Sequence, residues 1–182
     1  MKVEAYYGRG FSKSKIGDQR GAIEDYTKAA ETGNNENAKI LYDGKMSKNL
    51  LDDLRNGVQD KIKMAEFTTE RAEIYFNRGS SKAKSGDQKQ AMDDYNKAIS
   101  LNPIYAEAYF LRGVAKSSLG DQRNAIQDCS NAIKLNPKYA EAYYVRGIIK
   151  LALSDNTGCL DLSKSGELGY NPAYQVIRDH CN

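Results

Sequence analysis

The stretch Ala106–Tyr139, AEAYFLRGVAKSSLGDQRNAIQDCSNAIKLNPKY, decides the fold, because the chain contains it more than once. Directly before it stands AEIYFNRGSSKAKSGDQKQAMDDYNKAISLNPIY (72–105), and directly after it AEAYYVRGIIKLALSD begins at Ala140, so the period is the length of the stretch itself. Self-similarity at a fixed period of this size marks an array in which each unit buries its apolar face against its neighbours. Gly79, Gly113 and Gly147 keep the period, as do Arg78, Arg112 and Arg146, and Lys82, Lys116 and Lys150. Gly10, with Arg9 and Lys13 beside it, lies two periods plus one residue before Gly79, so the repeat reaches back nearly to Met1.

Each unit has two amphipathic halves. In the first unit (3–36), Tyr6, Gly10 and Lys13 recur at helical spacing, and Ala22, Ile23, Tyr26 and Ala29 do so in the second half. Gly17-Asp18, Gly86-Asp87 and Gly120-Asp121 separate the halves, which is the chemistry of a short turn between helices. The unit is therefore a helical hairpin. Glycine inside a helix costs about 1 kcal/mol relative to alanine. Gly113 opposite Ala125 is expected to offset that cost by letting two backbones approach closely.

These columns resemble the tetratricopeptide repeat, whose signature places an aromatic, a glycine, an alanine, an aromatic, an alanine and a proline at set intervals. Here the first aromatic is Tyr6, Tyr75, Tyr109 and Tyr143, and the glycine is Gly10, Gly79, Gly113 and Gly147. The small residue is Ala22, Ala91, Ala125 and Cys159, followed by Tyr26, Tyr95, Cys129 and Ser163, then by Ala29, Ala98, Ala132 and Gly166. Pro103 and Pro137 close their units. Tyrosine replaces the family's usual tryptophan, and the last unit departs furthest. The resemblance implies an all-α, right-handed superhelix of antiparallel helical hairpins, a single solenoid over 1–182.

The segment 37–71 lacks the consensus and carries one residue too many. Gly44 lies one full period after Gly10, and Gly57 precedes Gly79 by the same offset that separates Ala91 from Gly113. One inserted residue near Asn49–Asp53 restores both registers. On this reading 37–71 is a degenerate unit whose second helix presents Leu50, Leu54, Val58, Ile62 and Ala65. An irregular helical insertion is the competing reading. Beyond Tyr139 the last unit spans 140–170, and 171–182 reads as a capping helix over the apolar face that a further repeat would bury.

Composition narrows the function. Twenty-seven basic against 24 acidic residues, interspersed along the chain, give a net charge of +3, which argues for neither nucleic acid nor an anionic membrane as partner. No apolar run approaches the roughly 18–20 residues needed to span a bilayer. Whether a leader or further domains precede Met1 stays open. The single histidine, His180, lies two residues from the end, and there is no phosphate loop, metal-ligand spacing or nucleophile with its base. The expectation is a non-enzyme without cofactor or metal.

The arginine column suggests an anion ladder, but Asp25, Asp94 and Asp128 stand in one fixed relation to Arg9, Arg78 and Arg112. Ion pairs within hairpins explain it better, with bidentate geometry as the reason for arginine. Leu162 breaks the series, so Arg146 is expected to keep a free guanidinium and to join the binding residues.

The first-helix stripe that turns away from its hairpin partner comprises Glu4, Tyr7 and Phe11; Glu73, Phe76, Asn77 and Ser80; Glu107, Phe110, Leu111 and Val114; and Glu141, Tyr144, Val145 and Ile148. In the family this stripe lines a concave groove that holds an extended peptide or a partner helix, so a protein or peptide partner is implied. An apolar floor with acidic edges suits a basic or amphipathic peptide. Alternatively, Tyr7, Phe76, Phe110 and Tyr144 are buried between adjacent first helices. Family members that grip chaperone tails use a clamp of lysines, arginine and asparagines. Only Asn77 matches it, which argues against a chaperone C-terminal carboxylate. A self-assembling array stacked through its terminal repeats, or the interaction domain of a larger protein, are the alternative functions.

Three cysteines leave at least one thiol unpaired within the chain. Cys129 and Cys159 fall in interior columns and read as small buried hydrophobes. The tail around Cys159–Tyr170 also resembles the ends of bacterial repeat proteins often found outside the cytoplasm. That likeness implies a Cys159–Cys181 disulfide and an extracytoplasmic location; without the bond the expectation is cytoplasmic.

Overall fold

The structure is a computed structural model and describes residues 2–40 and 68–181. All regular structure among the described residues is helical: α1 (Lys2–Lys15), α2 (Gln19–Ile40), α3 (68–84), α4 (Gln88–Leu101), α5 (Ala106–Ser118), α6 (Gln122–Leu135), α7 (Ala140–Ala152), α8 (Gly158–Glu167) and α9 (Pro172–His180). No helix among the described residues is long and apolar enough to cross a membrane.

The Gly-Asp pairs make the hairpins by dividing the work. Gly17, Gly86 and Gly120 take φ of 88°, 90° and 85°, a left-handed conformation that ends the first helix. The next residue's N–H then donates back to the last turn, as Asp87 to the Lys82 carbonyl at 2.9 Å and Asp121 to the Lys116 carbonyl at 2.9 Å. The same aspartates start the second helix: Asp87 accepts from the N–H of Gln90 at 3.0 Å, and Asp18 from that of Gly21 at 2.9 Å.

Close approach follows from the small columns. A Cβ on Gly113 would lie 3.2 Å from the Ala125 carbonyl oxygen and 3.2 Å from Asp128 Cβ, so the expected facing pair is in place. Ala22, Tyr26, Ala29, Ile74, Tyr75, Ala98 and Ala108 form one buried cluster, and Ala132, Ile133 and Ala142 form the next. Each joins residues of successive hairpins, as a stacked array requires.

Two features depart from simple counting. First, α2 runs for 22 residues where α4 and α6 have 14, so it continues past Glu36 without a turn. The unit after it in space is 72–105: Arg78 Nη1 donates to Thr27 Oγ1 at 3.1 Å, just as Arg112 Nη1 donates to Asn96 Oδ1 at 2.7 Å and Arg146 Nη1 to Ser130 Oγ at 2.9 Å. Units 3–36 and 72–105 therefore touch as neighbours, although 37–71 separates them in sequence. Gly44, Gly57 and the Leu50 to Ala65 stripe lie outside the described residues.

Second, the last hairpin has lost one residue in its turn. Ser154, at φ 60°, stands where the others have glycine, and the Asp155 N–H still closes back onto the Lys150 carbonyl at 2.9 Å. Helix α8 then starts so that Gly158, Asp161, Leu162 and Ser165 fill the packing columns of Ala125, Asp128, Cys129 and Ala132, each one position short of a full period. The assignment of Cys159, Ser163 and Gly166 to those columns is corrected by one position: Ser163 is exposed and Cys159 half-buried. Ser165 is tolerated in the alanine column because its hydroxyl donates to the Ala140 carbonyl at 2.8 Å. Helix α9 lies over α8 with Ala173 buried and the Tyr174 ring against Gly166, while a disulfide joins Cys159 to Cys181 with their Cα atoms 5.7 Å apart.

Candidate functional site: the first-helix face

Each hairpin among the described residues is locked by three charged side chains. In the hairpin α5–α6, Asp128 is nearly inaccessible and accepts from Arg112 Nε at 2.8 Å, Arg112 Nη2 at 2.6 Å and Lys116 Nζ at 2.8 Å. Arg9 and Lys13 hold Asp25 in the same way, as Arg78 and Lys82 hold Asp94. The lysine column, noted from its period alone, thus has a partner in every hairpin. Arg146 belongs to the set as well: it donates to Asp161 through Nε at 2.9 Å and Nη2 at 2.6 Å, with Lys150 Nζ 2.8 Å from the other side. The expected free guanidinium is therefore corrected, and the cause is the one-residue shortening that brings Asp161 to the slot where counting put Leu162. Tyr6, Tyr75, Tyr109 and Tyr143 lie beneath these guanidinium groups at 5.1–5.5 Å, adding cation–π attraction.

With the arginines committed to the joints, the outward stripe of the first helices is left to uncharged side chains, bordered by the exposed Glu73, Glu107 and Glu141 at the helix starts. Phe76, Asn77, Phe110, Leu111, Val114, Tyr144, Val145 and Ile148 are half-buried, as is Tyr7, while Phe11 is 47% exposed. The outward aromatic of α3, α5 and α7 rests one side on the tyrosine that follows its own hairpin: Phe76 on Tyr105 at 4.8 Å, Phe110 on Tyr139 at 4.9 Å and Tyr144 on Tyr170 at 4.9 Å between ring centroids. Packing thus fixes their orientation and leaves part of each accessible. The row is neither a fully open floor nor a fully buried joint.

At the α1 end the stripe turns polar. Asn77 Nδ2 donates to the Tyr7 hydroxyl at 3.0 Å, and that hydroxyl donates to Glu73 at 3.4 Å, tying α1 to α3. Burial, and then Glu73, raise the Tyr7 phenol above its ordinary pKa. Between the two helices lies a cavity of about 160 Å³ lined by Phe11, Ser14, Lys15, Tyr26, Asn77, Ser80 and Lys84. Burial pushes the Tyr26 phenol up to about 12, so this wall stays uncharged. Sequence reasoning placed Phe11, Asn77 and Ser80 on this face but missed Lys15 and Lys84. The signal was available, since Lys84 follows Lys15 at the same offset that separates Gly79 from Gly10.

Antiparallel helix pairs stacked one on another, with the first helix of every pair contributing to one face, place the protein among the helical repeat superhelices. The repeats are of the tetratricopeptide family, and the chain is a tetratricopeptide repeat protein. Residues 79–120 match the family described as TPR repeat, and 106–139 that described as Tetratricopeptide repeat. Among solved structures, the crystal structure of MamA is similar in fold, with a TM-score of 0.68 and 23% identity over 94% of this chain and 81% of that one. The first TPR of Spaghetti (RPAP3), bound to the HSP90 peptide SRMEEVD, has a TM-score of 0.60 and 27% identity, over 62% of this chain and 92% of that one. The Arabidopsis OM64 TPR domain has a TM-score of 0.58 and 26% identity, over 62% of this chain and 98% of that one. No curated protein matches the chain.

Proposed function

We propose that the protein is a non-catalytic scaffold that holds a peptide or a partner's helix along the first-helix face. The observation that carries this reading is the row of oriented, partly accessible apolar side chains from Phe76 to Ile148, which in α5 and α7 meets charge only at Glu107 and Glu141 in the first turn of each helix. Such a row offers pockets for alternate side chains of an extended peptide, or for the apolar face of a helix. A relative in fold, the first TPR of RPAP3, is solved with a peptide bound, which supports a peptide as the ligand class. Proteins built from these repeats are generally non-catalytic interaction scaffolds. The Cys159–Cys181 bond supports work in an oxidising compartment, consistent with an extracytoplasmic bacterial location.

The test is selection of peptides from a displayed library on the intact chain, followed by titration of the selected peptides against Tyr144→Ala/Ile148→Ala. Removing an aromatic and an aliphatic anchor from the middle of a binding face should weaken affinity by about tenfold or more. Unchanged affinity with an intact fold would place binding elsewhere.

One observation favours a second reading, self-assembly through the terminal hairpin. The side chain of Arg9 is 53% exposed where that of Arg78 is 12%, because Arg9 meets no second helix of a preceding unit among the described residues. Another copy could supply that helix. Light scattering that rises with concentration in the native chain, and not in Arg9→Ala, would support this reading over a discrete receptor.

A further inference from the structure

We propose that the cavity between α1 and α3 binds an anionic side chain, carboxylate or phosphorylated, of the peptide held along the first-helix face; this rests on the groove reading and names the chemistry of its polar end. The lining contains no carboxylate. Its two cations, Lys15 and Lys84, are exposed at the rim, and neither has an ion-pair partner among the described residues. They differ in this from Lys13 and Lys82, two positions earlier on the same helices, which are held by Asp25 and Asp94. Residues two apart on a helix point to opposite sides, so one lysine of each pair locks the hairpin and the other serves the face.

The neutral groups agree in sign. The Ser14 hydroxyl has no acceptor among the described residues, and Asn77 uses one amide hydrogen on Tyr7 and keeps the second. Ser80 is the exception, with its hydroxyl donated to the Phe76 carbonyl at 3.0 Å. Two ammonium groups, a hydroxyl and an amide around one concavity form an array of donors, and charge-assisted bonds to an anion are the strong ones available to it. The positions that follow Lys84 by one and two periods are Ser118 and Ala152, so neither later unit repeats this chemistry. A ligand is thereby oriented: its acidic residue lies between α1 and α3 and its apolar residues run over α5 and α7.

The test is amide chemical-shift titration of the intact protein with three capped tripeptides, Ala-Glu-Ala, Ala-phosphoserine-Ala and Ala-Gln-Ala. Saturable shifts at Asn77, Ser80 and Lys84 are expected with an acidic peptide and not with the glutamine peptide, and the stronger of the two acidic arms identifies the anion. In Lys15→Gln/Lys84→Gln, whose fold is checked by its thermal transition, affinity should fall by about tenfold or more, and raising the salt should weaken the native binding. Equal response to the glutamine peptide, or unchanged affinity in the double variant, would overturn the proposal. Tripeptides are too short to reach α7, so their binding should survive Tyr144→Ala/Ile148→Ala. Selected peptides that lose affinity in that variant but not in the lysine variant would retain the groove and eliminate the anion site.

Discussion

Replacing Gly147 by alanine tests whether backbone contact holds the last hairpin together. Two effects oppose each other. Alanine inside α7 should stabilise the helix by about 1 kcal/mol over glycine. The added methyl, however, would stand 2.8 Å from the Gly158 carbonyl oxygen and 2.9 Å from Leu162 Cγ. The first of these atoms is backbone and cannot rotate away, so α7 and α8 must separate by several tenths of an ångström. Overpacking of this kind costs about 1–3 kcal/mol, and the shift would also strain the hold of Arg146 and Lys150 on Asp161. A net destabilisation of about 1–2 kcal/mol is expected for Gly147→Ala. Gly113→Ala, with its nearest neighbours at 3.2 Å, should be close to neutral, and Gly8→Ala, with nothing within 4 Å, should stabilise α1 by up to about 1 kcal/mol. Urea unfolding followed by far-ultraviolet dichroism measures the order, with amide hydrogen exchange assigning each change to its hairpin, because stacked arrays need not unfold as one unit. The reasoning is refuted if Gly147→Ala unfolds at the same urea concentration as the native chain or a higher one.

Asp128→Asn should destabilise the α5–α6 hairpin by about 3–5 kcal/mol, since it leaves Arg112 and Lys116 facing each other without their anion; thermal unfolding checks it. The Arg9 guanidinium, followed by the Lys13 ammonium, holds the Asp25 carboxyl well below the usual carboxylate range. Because the folded value is depressed, the stabilisation is fully present above the unfolded pKa of about 4 and is lost as pH falls through and below that value, so acid should loosen α1–α2, as exchange rates measured against pH would register. Burial pushes the Cys129 thiol up to about 12, so it should resist iodoacetamide at neutral pH until the protein unfolds. Intact mass without reductant should be two hydrogens below the reduced chain, and reduction should release α9 and remove about 3 kcal/mol, the closure entropy of a loop of this size.

How much of this was legible in the sequence depended on whether a feature repeats. The Gly-Asp turns, the Gly113–Ala125 contact and the Arg112–Asp128 pair recur at constant spacing, and repetition separates them from chance. Arg146 was misread because constant spacing assumes that no residue is gained or lost; a deletion in a turn leaves the helices intact but moves every later residue one place. Spatial order is a separate matter: spacing along the chain does not say which hairpins touch, and the contact of Thr27 with Arg78, between units that 37–71 separates, is read only from the structure. The cavity lies further from reach, since its walls come from the α1–α2 hairpin and from α3, which are not consecutive in the chain, and its lysines have no counterparts in later units.

The guanidinium clip across each joint also makes the array editable. From α3 onward every first helix of a hairpin carries the same donor, and the preceding second helix offers a short polar acceptor at the same place, whether threonine, asparagine or serine. Excision of 106–139 would set Arg146 against Asn96 in the slot that Ser130 now fills, so the chain could be shortened or lengthened by whole units, like links in a bracelet whose clasps all share one pattern.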